Sequence, residues 1–258
     1  MRNIRIIVAY DGTDLAGYQK QPDDKGLTVQ GCLEYGLSKI CNEPIQIYGA
    51  SRTDAGVHAK FQVCTFQTSG SIPAENIPRA MIAHIPKDIV VLEAVEIPLY
   101  WKPRWNIYGK EYVYTIHNQL IANPLTKRYH WHVKKPLNIE LMQDAGNELL
   151  GTHDFTTLKG TNSTPADPVK TIMGIHVEGK GPHVTISWDF FANCSAIASL
   201  NSLVSKPRSA TDIPSATILR INIEPCFIAV SEIGKDKQLI FVSSYLEKSG
   251  FTLLSQMM

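Results

Sequence analysis

Ala50-Ser51-Arg52-Thr53-Asp54-Ala55-Gly56-Val57-His58-Ala59 separates two apolar runs, Ile45 to Tyr48 and Phe61 to Phe66. A polar, glycine-containing stretch between two such runs predicts a strand, a loop and a second strand. Upstream, Val29, Leu33, Leu37 and Ile40 recur at spacings of four, four and three, which sets them on one helical face. Thr28 is placed to cap that helix, and Gly31 and Gly36 weaken it. Before the helix, Ile4 to Tyr10 is a β-branched run stopped by Asp11-Gly12, hence a strand and a turn. Downstream, Ile77, Met81 and Ile85 repeat every four residues, so Glu75 to Ile85 predicts a second helix with Pro78 in its first turn. Ile89 to Val95 is a further strand. The order is strand, helix, strand, strand, helix, strand, the ferredoxin-like βαββαβ arrangement of an α+β protein. Residues 1–100 are read as this first half, and the quoted loop lies at its centre.

A second cycle occupies residues 101–258. Tyr112, Tyr114 and Ile116 alternate along Glu111 to His117 as in a half-buried strand, and Asn138 to Leu150 predicts a helix ended by Gly151. Val169 to Val177 and His183 to Trp188 flank Gly179-Lys180-Gly181-Pro182 as a hairpin. Phe190 to Val204 is compatible with a closing helix. Ser205 to Asp212 is polar and broken by Pro207, and the apolar runs Ile218 to Ile223, Phe227 to Val230 and Gln238 to Val242 have no assignable order. The second half is therefore read as incomplete.

Hydrophobic residues make up 44% of the 258-residue chain and charged residues 19%, an ordinary globular balance. No apolar run reaches the roughly 18 residues of a membrane helix, and the first residues lack the shape of a signal peptide. Cys32, Cys41, Cys64, Cys194 and Cys226 form no Cys-x-x-Cys pair, so reduced thiols and a cytoplasmic setting are expected. The net charge of +1 does not announce nucleic acid, but its distribution is uneven. Lys102, Arg104, Lys110, Lys127, Arg128, Lys134 and Lys135 face one acid, Glu111, among Trp101, Trp105, Tyr108, Tyr112, Tyr114, Tyr129 and Trp131. Cations track phosphates and aromatic faces take unstacked bases; a solvated strand rim with core aromatics would give the same pattern.

The densest set of reactive groups is the quoted loop. Arg52 can orient and hold ionised a carboxylate two residues away, and Gly56 permits close approach or a positive φ. By pattern alone Thr53-Asp54-Ala55-Gly56 reads more simply as a turn, because Asp and Gly dominate turns. Asp11, Asp14, Asp23 and Asp24 lie among Gly and Pro and read as turn residues. His130 and His132 would share one strand face, but without a third ligand no metal is assigned. A glycosidase would need two facing carboxylates, and only Asp54 stands in a reactive setting.

The loop resembles the signature of the bacterial TruA-type tRNA pseudouridine synthases. Tyr10-Asp11-Gly12-Thr13, Gly17-Tyr18-Gln19-Lys20-Gln21, Thr28-Val29-Gln30 with Leu33, Gly109-Lys110-Glu111-Tyr112-Val113-Tyr114, Gly151-Thr152-His153-Asp154-Phe155 and Pro168-Val169-Lys170-Thr171-Ile172 resemble further family segments in order, over roughly residues 3–188. The resemblance implies an isomerase without cofactor or metal that converts uridine to pseudouridine in the anticodon arm of tRNA, at positions 38–40, as a homodimer. It implies that Asp54 is the nucleophile, that Arg52 pairs with Asp54 or holds the flipped nucleotide, and that Tyr112 stacks on the base. Tyr112 as a core residue of its strand is the alternative. Arg104 and Lys110 would contact the substrate, although Trp101-Lys102-Pro103-Arg104 departs from the family's Phe-His-Ala-Arg. His58 would support the loop rather than act as a base.

After Ile186-Ser187-Trp188 the family continues into a helix with His-Met-Val-Arg, whose arginine belongs to its active site. Here no arginine follows until Arg208, and the closing Gly-Leu-x-Leu strand is missing. A reading-frame change accounts for so sharp a boundary, and translating the coding DNA in the other two frames tests it. The alternative function is a catalytically impaired or inactive RNA-binding homologue.

Overall fold

The structure, a computed structural model, describes residues 1–22, 25–106, 109–156 and 168–191, together with strands at 218–222, 226–233 and 236–243. The chain divides into two compact units, Met1–Val113 with Trp188–Ile223, and Tyr114–Ser187 with Glu224–Met258.

In the first unit the order is β1 (Arg2–Tyr10), α1 (Val29–Cys41), β2 (Ile47–Gly49), β3 (His58–Thr68), α2 (Ile77–Met81) and β4 (Ile89–Ile97). Strand β1 lies between β3 and β4, antiparallel to both, and β2 pairs with β3. This is the βαββαβ order expected from the apolar periodicity. Ile4, Ile6, Val8 and Tyr10 alternate onto one face of β1. Val29, Leu33 and Leu37 of α1 and Ile77 and Met81 of α2 bury against that face. Thr28, in extended conformation, caps α1 by accepting the Gly31 amide at 3.2 Å, and Asn42 ends the helix in the left-handed region.

Three boundaries differ from expectation. Only Ile77–Met81 is α-helical in the second helix, behind a 3-10 turn at Ala74–Asn76, yet Ile85 still packs on the core from the following turn. Strand β2 starts at Ile47, because the Ile45 amide is taken by the Ser38 hydroxyl. Strand β3 starts three residues early, at His58, because it carries a bulge: Val8 opposes Gln62 but Tyr10 opposes Ala59. Lys60 and Phe61, consecutive and both exposed, occupy it.

A short helix α3 (Pro103–Asn106) and strand β5 (Gly109–Asn118) follow. Trp101, just before α3, packs on Ile7, Ala50 and Val63 across the other face of the sheet.

The second unit contains β6 (Trp131–Val133), α4 (Ile139–Asn147), β7 (Gly151–Asp154), β8 (Val169–Lys180) and the start of β9 (His183–Phe191). Asn138 caps α4 by accepting the Leu141 amide. Met142 and Ala145 are buried, as are Ile172, Ile175, Val184 and Ile186 of the hairpin. The helix ends before the expected Leu150, and residues 151–154 instead pair antiparallel with β8. Phe190 and Phe191 complete β9 rather than opening the closing helix; its remaining residues, and Ser205 to Asp212, lie outside the described residues.

The unassigned apolar runs near the end are strands: β10 (Ile218–Asn222), β11 (Cys226–Ile233) and β12 (Asp236–Ser243). In the first unit β10 pairs antiparallel with β3, at Ile221↔Ala59, and parallel with β5, at Ile221↔Tyr112. Strands β11 and β12 form a separate antiparallel pair. Among the described residues no helix is long and apolar enough to cross a membrane.

Candidate active site

The loop between β2 and β3 leaves the sheet after Ala50, whose amide closes the hairpin on the Val63 carbonyl at 2.9 Å. Ser51 is half-buried, Arg52 exposed, Thr53 buried, and Asp54 and Ala55 exposed. The Asp54 carbonyl accepts the Val57 amide at 3.3 Å, and Gly56, third in that turn, has φ +82°. This is the geometry of a turn needing glycine at its third position. The backbone at 54–57 is thus a turn, and it leaves the Asp54 carboxylate in solvent at the tip.

What fixes the tip lies beneath it. The Thr53 hydroxyl is 2.8 Å from the Tyr10 hydroxyl, and the Thr53 carbonyl accepts the Tyr18 amide at 2.9 Å. Gln62 of β3, fully buried, donates Nε2 to the Ser51 carbonyl at 2.8 Å. Its amide also bonds the Tyr10 hydroxyl, while Oε1 has no partner of full hydrogen-bond geometry. Burial pushes the Tyr10 phenol far above its ordinary range, so it acts only as a neutral hydrogen-bonding group. Sequence patterning missed Tyr10, Thr53 and Gln62 as parts of the site. The one available signal was the glutamine in the stretch Phe61 to Phe66, whose other polar residue, Thr65, is β-branched and suits a strand.

His58 closes the loop from the other side. Its Nδ1 accepts the Gly12 amide at 3.1 Å and lies 3.0 Å from Asp11 Oδ1. One nitrogen cannot accept from the amide and donate to the carboxylate together, so the two contacts belong to different tautomers of the ring. Both tie the loop to the turn after β1, the supporting role expected of His58. Asp11 also accepts from the Thr13 amide at 3.0 Å and hydroxyl at 2.6 Å, so Asp11 is a turn residue.

Tyr112 of β5 reaches this loop. Burial raises the pKa of its hydroxyl, a hydrogen bond with the Ser51 side chain opposes the rise, and the negative charge of Asp54 adds to it. Its ring stands edge-on to Phe190, with centroids 5.4 Å apart at 89°. Lys110, two residues earlier, is half-buried on the same face of β5. Arg104 is exposed on α3, beside Trp105, which is 61% exposed. Asp54, Arg52, Tyr112, Arg104 and Lys110 all belong to the first unit. Among the described residues no ion pair joins Arg52 to Asp54.

The aromatic residues of the basic segment divide. Trp101 and Tyr114 are core, Trp105 and Tyr129 are exposed, and Tyr108 lies outside the described residues. In the second unit His130 and His132 join His117 and His183 in a chain of ring contacts with centroids 5.0 to 5.8 Å apart. Among the described residues no group of three or more potential ligands is arranged to hold a metal ion.

A family model described as tRNA pseudouridine synthase matches residues 6–106. The tRNA pseudouridine synthase A of Thermoanaerobacter sp. (strain X514) is 39% identical over 186 residues, 72% of this chain and 75% of the relative. The tRNA pseudouridine synthase A 2 of Clostridium perfringens is 40% identical over the same length and shares. The tRNA pseudouridine synthase A of Brevibacillus brevis is 38% identical over 187 residues, 72% of this chain and 76% of the relative.

Proposed function

The chain belongs to the tRNA pseudouridine synthase A family, an isomerase family, and on that premise we propose that it converts uridine to pseudouridine in the anticodon arm of tRNA, with Asp54 as nucleophile. The observation that carries this reading is an exposed carboxylate on a loop whose neighbouring residues are pinned from beneath, with Tyr112 alongside. The reaction breaks the bond between uracil N1 and the sugar, turns the base, and joins its C5 to the same carbon, releasing the C5 proton. Its atoms balance without oxidant or reductant. Asp54 adds covalently to the substrate or stabilises positive charge at the anomeric carbon. A uridine must leave its stack to reach Asp54, at a cost of a few kcal/mol that a stacking partner offsets. Tyr112 is that partner. Arg52, exposed and close to Asp54 in the chain, holds the flipped nucleotide, and Arg104 and Lys110 take up phosphate charge. The protein works as a homodimer in the cytoplasm.

The second reading is an RNA-binding homologue with little turnover. The observation favouring it is the missing arginine between Trp188 and Arg208. One experiment separates the two: incubate the protein with an unmodified tRNA transcript and map pseudouridines chemically at single-nucleotide resolution. New pseudouridines on the 3′ side of the anticodon arm are expected. Bound tRNA without new pseudouridines would transfer the conclusion to the second reading, and pseudouridines elsewhere would remove the anticodon-arm assignment.

A further inference from the structure

Gln62 is a polar residue where the packing calls for an apolar one. It opposes Val8 across β1 and β3, on the face where Ile4, Ile6, Val8, Cys64 and Phe66 form the core. A fully buried amide whose oxygen lacks a good partner costs stability, and a methionine of similar volume would remove that cost together with the bond to the half-buried Ser51. The residue persists there beside a second buried polar group, Tyr10, from the neighbouring strand. The bulge in β3 brings the two together. By shifting the register between Val8 and Tyr10, it sets Tyr10 opposite Ala59 and beside Gln62.

Their partners are Ser51 and Thr53. Gln62 holds the Ser51 carbonyl, Tyr10 meets the Thr53 hydroxyl, and the Tyr18 amide holds the Thr53 carbonyl. The two pinned residues flank Arg52, and Thr53 precedes Asp54. Of the four consecutive residues Ser51 to Asp54, the two pinned ones are at least partly buried and the two with exposed side chains carry opposite charges. Backbone anchorage of this kind removes the freedom of an exposed carboxylate to wander relative to its substrate.

We propose that Gln62 and Tyr10 are positioning residues for the reaction, holding Ser51 and Thr53 so that Asp54 and Arg52 meet the flipped uridine from a fixed origin. This rests on the reading of Asp54 as nucleophile.

The experiment measures tritium release from carbon 5 of labelled uridine in tRNA, together with tRNA affinity and thermal midpoint. The variants are Gln62→Met, Tyr10→Phe, Thr53→Val, Thr53→Ser and Asp54→Asn. In Gln62→Met and Tyr10→Phe, kcat falls about tenfold to a hundredfold, while KM and tRNA Kd stay within about twofold. The thermal midpoint of Gln62→Met is unchanged or higher, which a merely structural role would not produce. Thr53→Val repeats the loss, and Thr53→Ser, which restores the hydroxyl, recovers most of it. Wild-type kcat in Gln62→Met and Tyr10→Phe overturns the proposal, as does a loss that only follows a fall in thermal midpoint. If either variant fails to fold, the Thr53→Val and Thr53→Ser pair decides by the same criterion. Asp54→Asn separates the two levels. If it is inactive while the positioning variants are normal, only the network role fails. If it remains active, or if the wild type releases no tritium, the nucleophile reading falls and the proposal with it.

Discussion

A methyl group placed on Gly12 would stand 2.1 Å from the carbonyl oxygen of Val57 and 3.0 Å from its nitrogen. Gly12 begins the turn after β1, and Val57 closes the turn that presents Asp54, so the two loops are in backbone contact. Peptide atoms cannot step aside as the end of a flexible side chain can. Gly12→Ala therefore forces the Asp54 loop outward. The expected cost is about 1–3 kcal/mol of stability, with a loss of kcat of about a hundredfold. Urea unfolding and tritium release, measured on the same preparation, check both figures.

Helix α1 carries much of the first unit's stability through one buried face. Leu33 is fully buried between β1 and the helix layer. Leu33→Ala removes apolar contact and leaves a cavity, at a cost of about 2–5 kcal/mol. Thr28→Ala removes only the cap of the Gly31 amide and costs about 1 kcal/mol. Denaturant melts of the two variants should keep this order. Equal losses would mean that the cap contributes as much to stability as the buried face.

The layout of the first unit was legible because its elements are amphipathic and close in sequence. Val29, Leu33 and Leu37 reveal α1 by spacing alone, and the apolar runs either side of the loop reveal β2 and β3. What escaped depends on distant partners. Strand β10 is a short apolar run whose place beside β3 and β5 comes from pairing with residues far away in the chain, Ile221 with Ala59 and with Tyr112. The bulge at Lys60 and Phe61 leaves no periodic trace. In the site, Asp54 stood out by its neighbours Arg52 and Gly56, but Tyr10 acts through the hydroxyl of Thr53 and Gln62 through the carbonyl of Ser51, both distant in sequence. No spacing rule reports such a contact.

Glu43 gives the fold an acid-sensitive anchor. Its carboxylate accepts from the Ser69 hydroxyl at 2.6 Å, the Thr68 hydroxyl, and the Ser69 and Gly70 amides. These bonds lower its pKa to about 2, the Ser69 and Thr68 hydroxyls first. A carboxylate lowered on folding contributes stability that is complete above its ordinary value of 4.5 and is lost as pH falls through about 2. Glu43→Gln should therefore lower the thermal midpoint at pH 7 and lose that difference progressively below pH 4.5. A difference independent of pH would rule out the charge as its cause.

His130 acts at milder pH and by a different route. Burial lowers its pKa below the ordinary 6.5, with the neighbouring His183 and His117 adding to the effect. A histidine that resists protonation when folded binds fewer protons than its unfolded form, so stability rises with pH through the range just below 6.5. His130→Asn should flatten the rise in thermal midpoint between about pH 5 and 7. An unchanged slope would show that other groups set it.

Tritium release from carbon 5 of uridine in an unmodified tRNA, with wild type and Asp54→Asn side by side, decides whether Asp54 is the nucleophile of a pseudouridine synthase. Release by the wild type and none by Asp54→Asn, at equal tRNA binding, is the predicted result. Release by Asp54→Asn at the wild-type rate, or none by a soluble wild type that binds tRNA, would contradict it.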